Sequence, residues 1–199
     1  MDYKASFFVL KKIKYLEADL IIHALSSNGE KFSFLARGAL KSKKRFGGGV
    51  LEPTHQALFT YQKPHNGGSL HLLKDAQIIH DFAPIRRSYE TLEFALQVIG
   101  CIEKVSQEGD SNSEILYNLL GHTMKAIETT QHLEILKTQF YLKFMMQQGV
   151  ITLEPWMGPF LKTQIQKHED LAGREELMRG KLTPLESRVR EYITTATAH

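Results

Sequence analysis

A single cysteine in 199 residues excludes two things at once, an intrachain disulfide and a thiolate zinc cluster. A chain without a disulfide framework suits a reducing compartment, and we expect a cytoplasmic protein. Nor is there any run approaching the roughly 18 uninterrupted apolar residues that a membrane span requires. The short apolar stretch 5–10 is followed at once by Lys11 and Lys12. A secretory signal carries its basic residues before a longer apolar core, so no such signal is expected here. Internal repeats and low-complexity segments are also missing. At 42% hydrophobic and 24% charged residues the composition is globular, which excludes disordered and fibrous classes.

Signatures of catalysis are equally scarce. Gly47-Gly48-Gly49 lacks the G-x-x-x-x-G-K-[ST] frame of a phosphate-binding loop. None of the nine histidines pairs at i, i+4 on a helix or falls in an H-E-x-x-H frame. His65, His71 and His80 cluster around one strand region and read as surface or core histidines rather than metal ligands. Cys101, within Val98-Ile99-Gly100-Cys101-Ile102, reads as a small buried hydrophobe rather than a nucleophile. Glu17 and Asp19 share a strand face by parity and are either a carboxylate pair or residues of a turn. Met145 and Met146 with Phe140 and Phe144 form an apolar stripe that belongs in a core. Nucleophile, base and oxyanion donor come together nowhere at a usable spacing. We therefore expect no enzyme, no metal and no cofactor.

What the chain has is an uneven charge. Residues 1–80 hold 12 Lys and Arg against 6 Asp and Glu, a balance of +6, while residues 81–199 hold 13 against 16, a balance of −3. The asymmetry predicts two regions with different partners, the basic one favouring a polyanion.

The hydrophobic period changes near the same place. Up to residue 80 five strand-like runs stand at about 6–15, 19–25, 31–37, 55–62 and 70–79. In the third, Phe32, Phe34 and Ala36 alternate with Lys31, Ser33, Leu35 and Arg37. In the fifth, Leu70, Leu72, Ala76 and Ile78 read as one face. Asn28-Gly29 and Asn66-Gly67 supply residues that tolerate the positive φ of tight hairpins. Five short strands suit a closed barrel, which leaves no exposed edge. After Pro84 the period is helical. Ile85, Tyr89, Leu92, Leu96, Ile99, Ile102 and Val105 read as one face of a first helix, which Gly109-Asp110 ends. Ser111 with Glu114 fits a capping box ahead of Ile115, Leu119, Leu120 and Ile127. Leu133, Leu136, Phe140 and Phe144 mark a third helix stopping near Gly149, and Thr183-Pro184-Leu185-Glu186 starts another. The expected class is α+β, an N-terminal five-stranded β-barrel over residues 1–82 and a C-terminal α-helical domain over 83–199.

One segment stands out. Arg37, Lys41, Lys43, Lys44 and Arg45 fall within nine positions with no acid among them, and a glycine run follows. Such cations crowd together at a cost unless a polyanion or solvent screens them. Nucleic-acid phosphates would do so with release of counterions; a solvated surface loop is the alternative. Phe34 and Phe46 lie nearby, and aromatics beside cations allow base stacking.

These residues resemble the bacterial RecO family of recombination and DNA-repair mediators. The run Phe8-Val9-Leu10-Lys11-Lys12-Ile13-Lys14-Tyr15-Leu16-Glu17-Ala18-Asp19 is similar to the family's opening, a strand leading into a spaced Tyr-x-Glu-x-Asp. Asn28-Gly29, Ala36-Arg37-Gly38-Ala39 with Lys41-Ser42, Leu51-Glu52-Pro53 and Leu73-Lys74-Asp75-Ala76 follow in the family's order. The likeness is good over about 5–85 and looser to about 150. It implies an OB-fold barrel followed by a helical domain, in keeping with the change of period. It also implies binding of single- and double-stranded DNA, annealing of complementary strands, and help for RecA in replacing single-strand-binding protein. The implied partners are RecR and the acidic C-terminal tail of single-strand-binding protein. On this chain the implied DNA contacts fall on Arg37, Lys41, Lys43, Lys44 and Arg45, with Lys12 and Lys14 beside them. Many members carry a four-cysteine zinc module where this chain reads Gly149-Val150-Ile151-Thr152-Leu153-Glu154-Pro155-Trp156, so zinc at that module is excluded. OB-folds often bind through the loops joining strands 1–2 and 4–5, whereas here the basic excess lies between strands 3 and 4. The competing expectation is an interaction adaptor whose barrel has lost DNA binding and whose helical domain docks partners.

Overall fold

The computed structural model describes residues 1–64, 67–109 and 114–195. His65, Asn66, Asp110 and Ser111, named above for a histidine cluster, a hairpin, a helix stop and a capping box, lie outside the described residues. Residues 1–82 with 106–118 form one compact unit, and 83–105 with 119–199 form another.

The first unit is built on β1 (Tyr3–Tyr15), β2 (Asp19–Ser26), β3 (Lys31–Ala36), β4 (Gln56–Gln62) and β5 (Leu70–His80). They close into a barrel in the order β1-β2-β3-β5-β4. β1 serves two neighbours: residues from Tyr3 to Phe8 pair with β4, and those from Phe7 to Tyr15 pair with β2. β3 and β5 run parallel, with Phe34 opposite His71 and Leu35 opposite Leu72. Alternation in β3 sends Phe34 and Ala36 into the core, where Phe7, Phe34 and Phe59 are fully buried. Their rings meet Phe7 at centroid distances of 5.0 Å for Phe34 and 5.3 Å for Phe59. Each such ring contributes about 1.5–3 kcal/mol on burial. At the β2–β3 turn, Gly29 takes φ of +84° and its N–H donates to the Ser26 carbonyl.

β5 departs from simple alternation. The β4 pairing jumps from Leu73 opposite Tyr61 to Asp75 opposite Thr60, so Lys74 is an extra residue. A bulge of this kind reverses the parity beyond it. Leu73 before the bulge and Ala76 after it are therefore the core residues, and Leu70, expected on the inner face, is exposed; Ile78, expected there too, is exposed as well although it shares the parity of Ala76.

Residues 106–118 complete this unit. The Lys31 N–H donates to the Gln107 carbonyl at 3.1 Å and Ser33 Oγ donates to Glu108 at 2.6 Å. Gln56 Nε2 donates to the Tyr117 hydroxyl at 2.9 Å, and the Tyr117 ring lies 5.2 Å from Phe8.

The second unit contains α1 (Tyr89–Val105), most of α2 (Glu114–Thr129), α3 (Leu133–Gln147), α4 (Gly158–Lys162), α5 (Glu175–Met178) and α6 (Leu182–Thr195). α3 is buried on nearly all sides and ends in a Schellman turn. Gly149 has φ of +70°, its N–H donates to the Met146 carbonyl, and the Val150 N–H donates to the Met145 carbonyl. α1 buries Phe94, Ala95, Val98, Ile99, Cys101 and Ile102. Tyr89 and Leu96, expected on its apolar face, are exposed instead, as are Ile115 on α2 and Met146 on α3. The buried stripe of α1 runs through Phe94 and Val98, and the Phe94 ring meets Phe140 and Tyr141 of α3. Cys101 is buried, and burial pushes its thiol up to about 12, which removes it as a nucleophile.

Residues 150–178 hold their place through side chains of α3 and the α2–α3 connection. Gln139 Nε2 donates to the carbonyls of Phe160 (3.1 Å) and Thr163 (2.7 Å), and Lys143 Nζ to that of Leu161 (2.8 Å). Burial holds the Lys143 ammonium pKa below its usual value. His168 is buried between the Ile165 carbonyl and the Thr130 hydroxyl, and the Gln131 N–H donates to Glu169. No helix among the described residues is long and apolar enough to cross a membrane.

Candidate nucleic-acid interface

Residues 37–55, between β3 and β4, carry the cationic cluster on a rigid footing. Ala39, Phe46, Val50 and Leu51 all belong to the barrel core, so the loop is fastened at four points. Between the anchors it turns tightly. A methyl group on Gly47 would lie 2.1 Å from the Lys43 carbonyl oxygen, so only glycine fits there. Gly38 leaves β3 with φ of +65°, and its N–H donates to Asp19 Oδ1 at 2.8 Å. The Leu40 N–H donates to the Ala18 carbonyl at 2.9 Å, which ties the loop to the β1–β2 turn.

Arg37, Lys41, Lys43, Lys44 and Arg45 are all exposed on this framework. Arg45 is the most constrained of them. Its Nη2 donates to the Arg37 carbonyl at 3.0 Å, and its guanidinium stands 5.1 Å from the centroid of the Phe46 ring. Lys12 and Lys14 project from the far half of β1, paired opposite Ile22 and Leu20. Lys12 forms an ion pair with Glu52 of the same loop, so its charge is partly compensated, while Lys14 is exposed.

Phe34 and Phe46 do not fit base stacking. Phe34 has 0% and Phe46 7% of its surface exposed, and both rings fill the barrel. The alternation of β3 puts Phe34 on the apolar face, a stronger signal than its aromatic residue type. The exposed ring at this end of the barrel is Tyr15, at 43%, paired opposite Asp19 on the outer side of β1. Period two from Lys11 through Ile13 would have found it.

The histidines stay apart. His71 lies among rings, 5.0 Å from Phe32 and 5.5 Å from Tyr61, and its Nδ1 meets no hydrogen-bond partner among the described residues. Burial holds its pKa below the ordinary value; Lys63 adds to this, and Glu108 and Glu30 oppose it. His80 packs edge-on against Phe82. Of the two acids near the turn, Asp19 is engaged by the Gly38 N–H, and Glu17 lies in the exposed turn between β1 and β2. No group of His, Cys, Asp and Glu among the described residues is arranged to hold a metal ion.

A closed five-stranded barrel of this strand order, followed by helices, defines the chain as an OB-fold protein with a helical extension. Residues 1–82 match the family model described as recombination protein O N terminal. The chain is similar to the DNA repair protein RecO of Syntrophus aciditrophicus, 31% identical over 147 residues, or 74% of this chain and 56% of the relative. It is similar also to those of Alkaliphilus metalliredigens (29% over 148 residues, 74% and 58%) and Thermodesulfovibrio yellowstonii (29% over 153, 77% and 58%). The chain belongs to the RecO family. The match takes in little more than half the length of these curated relatives.

Proposed function

We propose that this chain acts in DNA repair and recombination as a non-enzymatic mediator. Its barrel binds single- and double-stranded DNA through Arg37, Lys41, Lys43, Lys44 and Arg45, with Lys14 beside them and Lys12 weakened by Glu52. It anneals complementary strands and helps RecA onto strands coated by single-strand-binding protein, with RecR and the tail of that protein as partners. The observation that supports DNA binding is the cationic loop itself: five exposed cations held on a segment with four anchors in the core. A backbone already anchored loses little entropy when its cations meet phosphates, and each phosphate neutralised releases counterions.

Salt titration of single-stranded DNA binding tests this. With four of the five cations on phosphates, log K against log[salt] slopes at about −3, and changing Lys43, Lys44 and Arg45 together to Ala flattens it by about 2. An unchanged slope and affinity in that variant sinks the loop assignment. A second reading, an adaptor that docks proteins through its helices, draws on the exposed Tyr89 and Leu96 of α1, which line a shallow groove with Leu92, Glu93 and Gln97. Absence of DNA affinity even at low salt would favour it.

A further inference from the structure

The β1–β2 turn next to the cationic loop has an unusual surface. Tyr15 is 43% exposed, Leu16 71% and Leu40 51%. Leu40 belongs to the cationic loop, and its N–H is bonded to the Ala18 carbonyl of the turn. Three large apolar side chains thus stand in water at one tip. Leu16 is also held at φ of +51°, a left-handed conformation that costs a branched side chain free energy and that glycine would adopt freely. A strained, exposed leucine does nothing for the core, and such residues concentrate where a ligand is met.

The charges around the tip say which part of a nucleic acid it meets. Glu17 is exposed within the turn, and Asp19 stands between Tyr15 and the position of Arg37, the residue after Ala36, which pairs opposite Leu20. Two carboxylates repel a phosphate. A base is neutral, and its flat face suits a tyrosine ring and leucine side chains. Arg37 lies two strand spacings from Tyr15, about 10 Å, so backbone and base can be received side by side.

We propose that the β1–β2 tip is a base-stacking site, with Tyr15 as the platform and Leu16 and Leu40 as its apolar walls, while the neighbouring cations hold the phosphates. The proposal rests on the DNA-binding reading above and adds to it a contact to bases. It also gives the β1–β2 loop a share in binding, beside the basic loop between β3 and β4.

The test compares binding of an oligo-dT strand with an abasic strand carrying the same number of phosphates. Tyr15→Ala should weaken oligo-dT binding by about five- to a hundredfold, leave the abasic strand unaffected, and keep the salt slope. Tyr15→Phe should retain affinity. Leu16→Gly, which relieves the backbone and removes the side chain, should keep the fold while also weakening oligo-dT binding. Equal affinity of Tyr15→Ala and the parent for oligo-dT, or an equal loss on both strands, overturns the stacking site while leaving the cationic loop standing. Failure of the parent to bind either strand at low salt overturns both.

Discussion

The barrel unit and the helical unit satisfy their backbones by different means. In the barrel nearly every strand residue finds its partner in a neighbouring strand, and the aromatic core holds the ladder together. In the helical unit, residues 150–178 have only short helical turns, and side chains of α3, the buried Gln139 and the half-buried Lys143, supply what a ladder would. Gln139 and Lys143 between them take three carbonyls at the end of α4. A ladder spreads stability over many weak links, whereas this arm depends on a few polar side chains with no spare partner. One region should therefore fail through lost packing and the other through lost hydrogen bonds.

The largest effect is expected from Phe7→Ala. Phe7 touches Phe32, Phe34, Phe59 and Tyr61, and its removal should cost about 3–5 kcal/mol. Hydrogen exchange in β1 and β4 should accelerate while Trp156 fluorescence keeps its native emission; loss of both signals together would show that the two units stand or fall as one. Gln139→Leu should cost about 1–3 kcal/mol, because the Phe160 and Thr163 carbonyls lose their donor. Trp156, 6.1 Å from the Phe160 ring, is the natural reporter, and an unaltered thermal midpoint would contradict the view that the arm hangs on this amide.

The smallest effect concerns His71. Its pKa in the folded barrel lies below the ordinary 6.5, so the unfolded chain binds a proton that the folded state refuses. Stability on this account is full above about pH 6.5 and declines as pH falls through that value toward the lower folded pKa. His71→Phe removes both the titration and the orphaned nitrogen, and should narrow the difference in melting temperature between pH 8 and pH 5. An undiminished difference would assign the acid sensitivity to other groups.

How much was legible follows from the same contrast. Alternation in β3 gave its inner face directly, because both neighbours hold regular register across Phe34 and Ala36. In β5 the bulge at Lys74 broke the rule, and nothing in Leu73-Lys74-Asp75 announces an extra residue. The face of α1 is ambiguous in sequence because Phe94 and Val98 compete with Tyr89, Leu92 and Leu96 for the same helical period, and only packing decides between them. The cationic loop was plain from composition, but its rigidity was not, since Phe46 and Val50 look like loop residues until the core that holds them is seen. The arm after Gly149 carries no strong period, and its dependence on Gln139 could not be read from a lone polar residue in an apolar helix.

One feature of the barrel unit bears on how it is made. Lys31, Ser33, Gln56 and Phe8 find partners in residues 107–117, yet the last strand ends at His80. A ribosome adding about 5–20 residues per second needs about 2–7 s to make the 36 residues between 82 and 118. During that interval every strand exists, but the segment that covers β3 and β4 does not, and α1 must be spun out in between. A gene cut after codon 82 would encode all five strands but none of the contacts that Gln107, Glu108 and Tyr117 make with them.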